Sequence, residues 1–147
     1  MEKYFATYNQ ALALKKLGFD EPCLAFYYDK TKFLCLGQKP EYLVNKRKAS
    51  YVFGNEKHDV TLAPLKSQVF EWFRDKHLLF NEIALDTYGE PCELKVTISQ
   101  LNPTRMFITK HYFPYVNGIG GIDNDKHEEA ELACIDKLIE IVKNEKV

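Results

Sequence analysis

Residues 93–99, Glu93-Leu94-Lys95-Val96-Thr97-Ile98-Ser99, alternate polar and apolar side chains without a break. A period of two sends Leu94, Val96 and Ile98 to one face of a strand and the charged and hydroxyl residues to the other. Such a strand belongs in an antiparallel sheet with one face in water, and its apolar face needs a cover. The C-terminal segment supplies one. From Leu132 the apolar residues change to helical spacing, with Ile135, Leu138, Ile139 and Val142 on one side of a helix. Asp125 is the expected cap of that helix and Glu128 the second half of its capping box.

The N-terminal end reads in the same way. Thr7 and Gln10 have capping-box spacing, Leu12, Leu14 and Leu17 follow, and Gly18 stands where a left-handed cap ends a helix. Pro22 introduces a strand over residues 23–28. Residues 29–32 turn the chain, and Phe33 to Leu36 returns as a hairpin partner. Tyr51 to Phe53, the turn Gly54-Asn55 and Val60 to Leu62 suggest a second hairpin. Pro64, at a first helical position, opens a helix through Val69, Phe70, Trp72 and Phe73 to about Lys76. Asn102-Pro103 turns the chain after the alternating strand, and residues 105–111 pair back.

With 147 residues and 46% apolar composition, the chain is long enough to bury its own core as a single α+β domain spanning residues 1–147. The order of elements predicts an antiparallel sheet of about four to six strands with three helices packed on one face. Glu21-Pro22-Cys23 and Glu90-Pro91-Cys92 each precede a strand, a slight sign of internal repetition set against coincidence.

Charge limits the partners. Twenty Lys and Arg oppose 21 Asp and Glu, for a net charge of −1. A duplex-nucleic-acid binder normally carries a strong basic excess. The charge is nevertheless uneven: Lys30 to Lys57 holds seven basic and two acidic residues, whereas residues 123–147 hold eight acidic and four basic. Two solvated faces account for this, as would a basic patch meeting an anion or complementary faces in a homodimer. No apolar run has the length of a membrane span or the form of a signal core, which points to the cytoplasm. For a phage-encoded protein that would be the host's.

No local constellation names a reaction or a cofactor. Cys23, Cys35, Cys92 and Cys134 have neither zinc nor disulfide-scaffold spacing. Cys92 is the most exposed candidate, yet Glu90 and Glu93 would raise its thiol pKa, the wrong direction for a nucleophile. His58, His77, His111 and His127 fall on different elements, so no metal site is expected. Asp123-Asn124-Asp125 lacks the glycine and the bidentate glutamate of a calcium loop and reads as helix capping.

The segment from Lys110 to Gly121 differs from the rest. Tyr112 and Tyr115 are suited to stack on a planar base, and Gly118 and Gly120 allow close backbone approach ahead of the last helix. Lys110, with Lys46 and Arg47 from the basic stretch, would neutralise an anion there, since the helix itself opens with acidic residues. A plain connecting loop is the competing reading. Phe70, Trp72 and Phe73 cannot all share one narrow helical stripe, so Trp72 is a candidate interface anchor.

Residues 7–23, 68–74 and 128–143 together resemble a group of short proteins encoded by Bacteroidota genomes and by their phages and mobile elements. The resemblance covers the three helices and the first strand, and carries no activity or binding residues. It implies a setting, that of a phage or mobile-element accessory protein that blunts host defence. In that setting the aromatic segment and the basic stretch suit a non-enzymatic binding module that captures a nucleotide-derived signal or a host protein. The alternatives are a structural or protein-interaction domain, or a small hydrolase whose catalytic groups converge from distant positions.

Overall fold

Capping at both ends makes the first helix, α1 (Tyr8–Leu17), as its sequence requires. The Gln10 backbone N–H donates to Thr7 Oγ1 at 3.3 Å, and the Thr7 N–H donates to Gln10 Oε1 at 3.1 Å. At the other end Gly18 has φ of 101°, which a side chain would strain. The N–H groups of Phe19 and Gly18 reach back to the Leu14 and Lys15 carbonyls, at 3.0 and 3.3 Å, completing a Schellman motif. The helix buries Gln10, Ala11 and Leu14.

The computed structural model describes residues 2–37, 50–53, 56–86, 93–101, 108–116 and 124–145. Among them are three α-helices, a short 3-10 turn at Glu2–Tyr4 and seven strands. The chain divides into two compact units, Met1–Val69 and Phe70–Val147.

In the first unit, α1 lies against a four-stranded antiparallel sheet. Its strands are β1 (Ala25–Tyr28), β2 (Leu34–Leu36), β3 (Ser50–Phe53) and β4 (Glu56–Ala63), in the order β2-β1-β4-β3. The first expected hairpin forms, with Phe26 opposite Cys35; the second turns at the expected place but pairs Ser50–Phe53 with residues 56–59, while Val60, Thr61 and Leu62 pair with β1 instead. Phe5, Ala11, Ala25, Tyr27 and Ala63 form a core cluster, with Tyr8, Leu34 and Leu65 packed against it. Residues ahead of α1 are tied to the far end of the sheet. The Ala6 N–H donates to the Pro64 carbonyl at 3.0 Å, and Phe5 bridges Leu65.

Helix α2 (Lys66–His77) begins two residues after Pro64, so this proline is not its first helical residue. The Leu65 N–H donates to Gln68 Oε1 at 3.1 Å and the Leu65 carbonyl accepts from Val69, which makes Leu65 the cap. At the C-terminal end Leu78 has φ of 55°, and its N–H donates to the Arg74 carbonyl. A leucine therefore holds the left-handed position that glycine usually fills.

The second unit contains a three-stranded antiparallel sheet of β5 (Leu79–Asp86), β6 (Glu93–Leu101) and β7 (Ile108–Val116), in that order, and helix α3 (Asn124–Glu145) against all three strands. Helix α3 begins one residue before the expected cap, Asp125, and buries Ala130, Cys134, Ile135, Leu138, Ile139, Ile141 and Val142.

The α+β class and the antiparallel pairing agree with the sequence, but the expectation of one sheet with three helices on one face does not. There are two sheets, of four and three strands, with α1 against one and α3 against the other. Strand β5 has no counterpart in the sequence reading. The suggested repetition does not extend to topology, because α1 precedes its sheet and α3 follows a sheet of different strand order.

Candidate functional site

On β6 the even-numbered residues Leu94, Val96 and Ile98 are buried, while Lys95 is exposed and Thr97 and Ser99 are half-buried. Gln100, of the same parity as the buried set, donates through its amide to the Glu145 carboxylate of α3. The even side of β6 therefore faces α3, and the odd side faces away from it.

Directly opposite residues of an antiparallel pair share a face, so register extends this division across the sheet. Glu82 pairs with Thr97 and Thr97 with Tyr112; Phe80 pairs with Ser99 and Ser99 with Lys110. Glu82, Thr97, Phe80 and Ser99 thus lie on the side away from α3, and Tyr112 and Lys110 hold the register positions opposite Thr97 and Ser99. Glu82 is exposed there and Phe80 is 41% exposed. His111 and Phe113 stand opposite the buried Ile98 and Val96 in register.

The expected loop from Lys110 onward is strand as far as Val116. Between Phe113, opposite Val96, and Val116, opposite Leu94, β7 uses three steps where β6 uses two. This is a β-bulge, and it contains Pro114, a residue without the N–H that regular pairing requires. Tyr112 and Tyr115, grouped by the sequence as a pair, occupy different positions: Tyr112 is in regular register, and Tyr115 falls within the bulge. Gly118, Gly120, Lys46, Arg47 and Cys92 lie outside the described residues.

Trp72 is 5% exposed, with its ring edge-on to Phe73 at 5.0 Å and to His77 at 4.8 Å. It is a packed residue and not a protruding anchor; of the three aromatics it is Phe70 that stays half-exposed. The larger apolar exposures of the first unit are Tyr4, Leu24, Phe33 and Leu36, at 60, 56, 64 and 50%, the last on the outer strand β2.

Cys23 and Cys134 are buried, and burial pushes each thiol up to about 12, with Glu21 and Glu131 as smaller contributors. Burial also raises Cys35. Thiolate is the reactive form, so none of the three suits nucleophilic chemistry near neutral pH. Among the described residues no group of His, Cys, Asp and Glu has the geometry to hold a metal ion, and no helix is long and apolar enough to cross a membrane.

The sequence had marked Thr97 and Ser99 only as the wet side of a strand. It missed Phe80 and Glu82 altogether, because β5 was not recognised. The signal was the spacing of Leu79, Ile83 and Leu85, obscured by the apolar Phe80 between them. Comparison of the chain with protein-family models, curated proteins and solved structures finds no match.

Proposed function

We propose that this protein is a non-enzymatic binding module of a phage or mobile element, which counters host defence by capturing a nucleotide-derived signal on the side of the second sheet turned away from α3. The observation that carries this reading is the register that aligns Tyr112 with Thr97 and Glu82, and Lys110 with Ser99 and Phe80. These residue types match a nucleotide: aromatic rings for a planar base, hydroxyls and a carboxylate for its polar edge, and a lysine for its phosphate. The raised thiol pKa values weigh on the same side, against cysteine catalysis. The phage setting comes from the resemblance carried by the three helices.

Thermal-shift measurements against cyclic nucleotides and ADP-ribose derivatives test the proposal. A ligand at one hundred times its Kd stabilises the folded state by about 2.7 kcal/mol. Replacing Tyr112 by Ala abolishes that shift and leaves the unliganded Tm nearly unchanged. Recovery of the ligand unaltered after denaturation separates capture from hydrolysis. Absence of a shift with every member of the panel sinks this reading.

A second reading, capture of a host protein, is favoured by the exposed Leu24, Phe33 and Leu36 beside the outer strand β2. Large apolar side chains exposed beside an outer strand suit a protein interface.

A further inference from the structure

We propose that the outer edge of β5 pairs antiparallel with the same strand of a second copy, joining two three-stranded sheets into one of six strands. The inference goes beyond the ligand reading and does not depend on it.

An edge strand presents unpaired N–H and C=O groups, and proteins guard such edges by keeping them short or by using proline, lysine or bulges. Among the described residues the two sheets have four outer strands, and three of them are guarded. Strand β2 has three residues and β3 has four. Strand β7 carries Lys110 and a bulge containing Pro114. Strand β5 alone is long and has no proline, lysine or bulge, its only charges being Glu82 and Asp86. Its eight residues, Leu79 to Asp86, pair with β6 in unbroken register and include no proline, glycine or lysine. Ile83 stays half-buried on it and Phe80 is 41% exposed.

The sequence of β5 also selects its occupant. A two-fold axis relating two antiparallel strands stands perpendicular to the sheet and sets residues of like parity opposite each other. Centring the axis on Glu82 would place two carboxylates face to face. Centring it on Ala84 would pair Glu82 with the partner's Asp86. Centring it on Asn81 shortens the paired stretch. An axis at Ile83 avoids all three problems: Ile83 meets the partner's Ile83, Glu82 meets the partner's Ala84, and residues 80–86 all pair. The strand is therefore complementary to itself in one register. Both copies of α3 then fall on one side of the joined sheet, and both sets of Phe80, Thr97, Ser99, Lys110 and Tyr112 positions fall on the other.

Sedimentation equilibrium of the full chain and two variants across the micromolar range tests this. The wild type is expected to be a dimer. Ala84→Glu places a carboxylate opposite the partner's Glu82 at two symmetric positions, which weakens the dimer about tenfold. Ala84→Lys at the same positions preserves or tightens it. Ala84 is exposed and pairs with Lys95 within its own chain, so the Glu variant keeps its fold, as circular dichroism would verify. A wild type that stays monomeric across the range overturns the proposal. So does a dimer of equal affinity in both variants, which would assign association to another surface.

Discussion

The Tyr27 hydroxyl donates a buried hydrogen bond of 2.7 Å to the backbone carbonyl of Ala6, tying the inner strand β1 to the residues that lead into α1. The Tyr27 ring also meets Tyr8 edge-on at 5.6 Å, on the first turn of that helix. One side chain thus links strand, helix and N-terminal segment. Tyr27→Phe keeps the ring contact but leaves a buried carbonyl without its donor, and should cost about 1–3 kcal/mol. Urea unfolding measures this directly; unchanged stability would mean that water replaces the phenol.

The two ends of α1 give separable predictions. A Cβ built on Gly18 meets nothing within 4 Å, so Gly18→Ala suffers only from the positive φ. That strain is about 1–2 kcal/mol. Thr7→Ala removes the cap and should cost about 1 kcal/mol. The sites share no hydrogen bond, so the double variant should lose the sum of the two, as read from the unfolding midpoint.

Thr61 is fully buried on β4, and its Oγ1 has no hydrogen-bond partner among the described residues. Burying an unpaired hydroxyl costs about 1–3 kcal/mol relative to an apolar group. Thr61→Val, nearly the same shape, should therefore raise Tm and stabilise the protein by about 1 kcal/mol. A lower Tm would reveal a partner for the hydroxyl.

Cys23 and Cys134 should make the fold sensitive to alkali. Each thiol stands near 12 in the folded chain against an ordinary 9.0, chiefly through burial. The folded state holds these protons more tightly than the unfolded one, so stability is fully present below 9.0 and falls as pH rises towards 12. The urea midpoint should drop across that interval, and Cys134→Ala should flatten the decline. Thiol reagents at neutral pH should leave both cysteines unmodified in the native protein. Rapid labelling of either would contradict their burial.

Much of this structure was legible because its causes are local. The capping box at Thr7 and Gln10 and the left-handed cap at Gly18 act within one turn of helix. The alternation from Glu93 to Ser99 needs nothing beyond the period of a strand. Strand β5 was not legible because Leu79 and Phe80 are adjacent apolar residues, and only pairing with β6 turns one inward and leaves the other exposed. Strand β7 runs past Pro114, which by itself signals a stop, because an outer strand tolerates a bulge there. Trp72, marked as an anchor by the crowding of three aromatics, is buried, a choice among rotations of α2 that the helical spacing alone leaves open.

The sequence by itself determined both ends of α1, the wet and dry sides of β6 and the apolar stripe of α3, since each follows from residue spacing and backbone chemistry over a few positions. Tertiary structure decided the division into two sheets, the alignment of Tyr112 and Lys110 with Thr97 and Ser99, and the contrast between β7, with its lysine and bulge, and β5, with neither. Those features depend on which distant strands pair and in what register, and strand pairing is set by contacts between residues far apart in the chain.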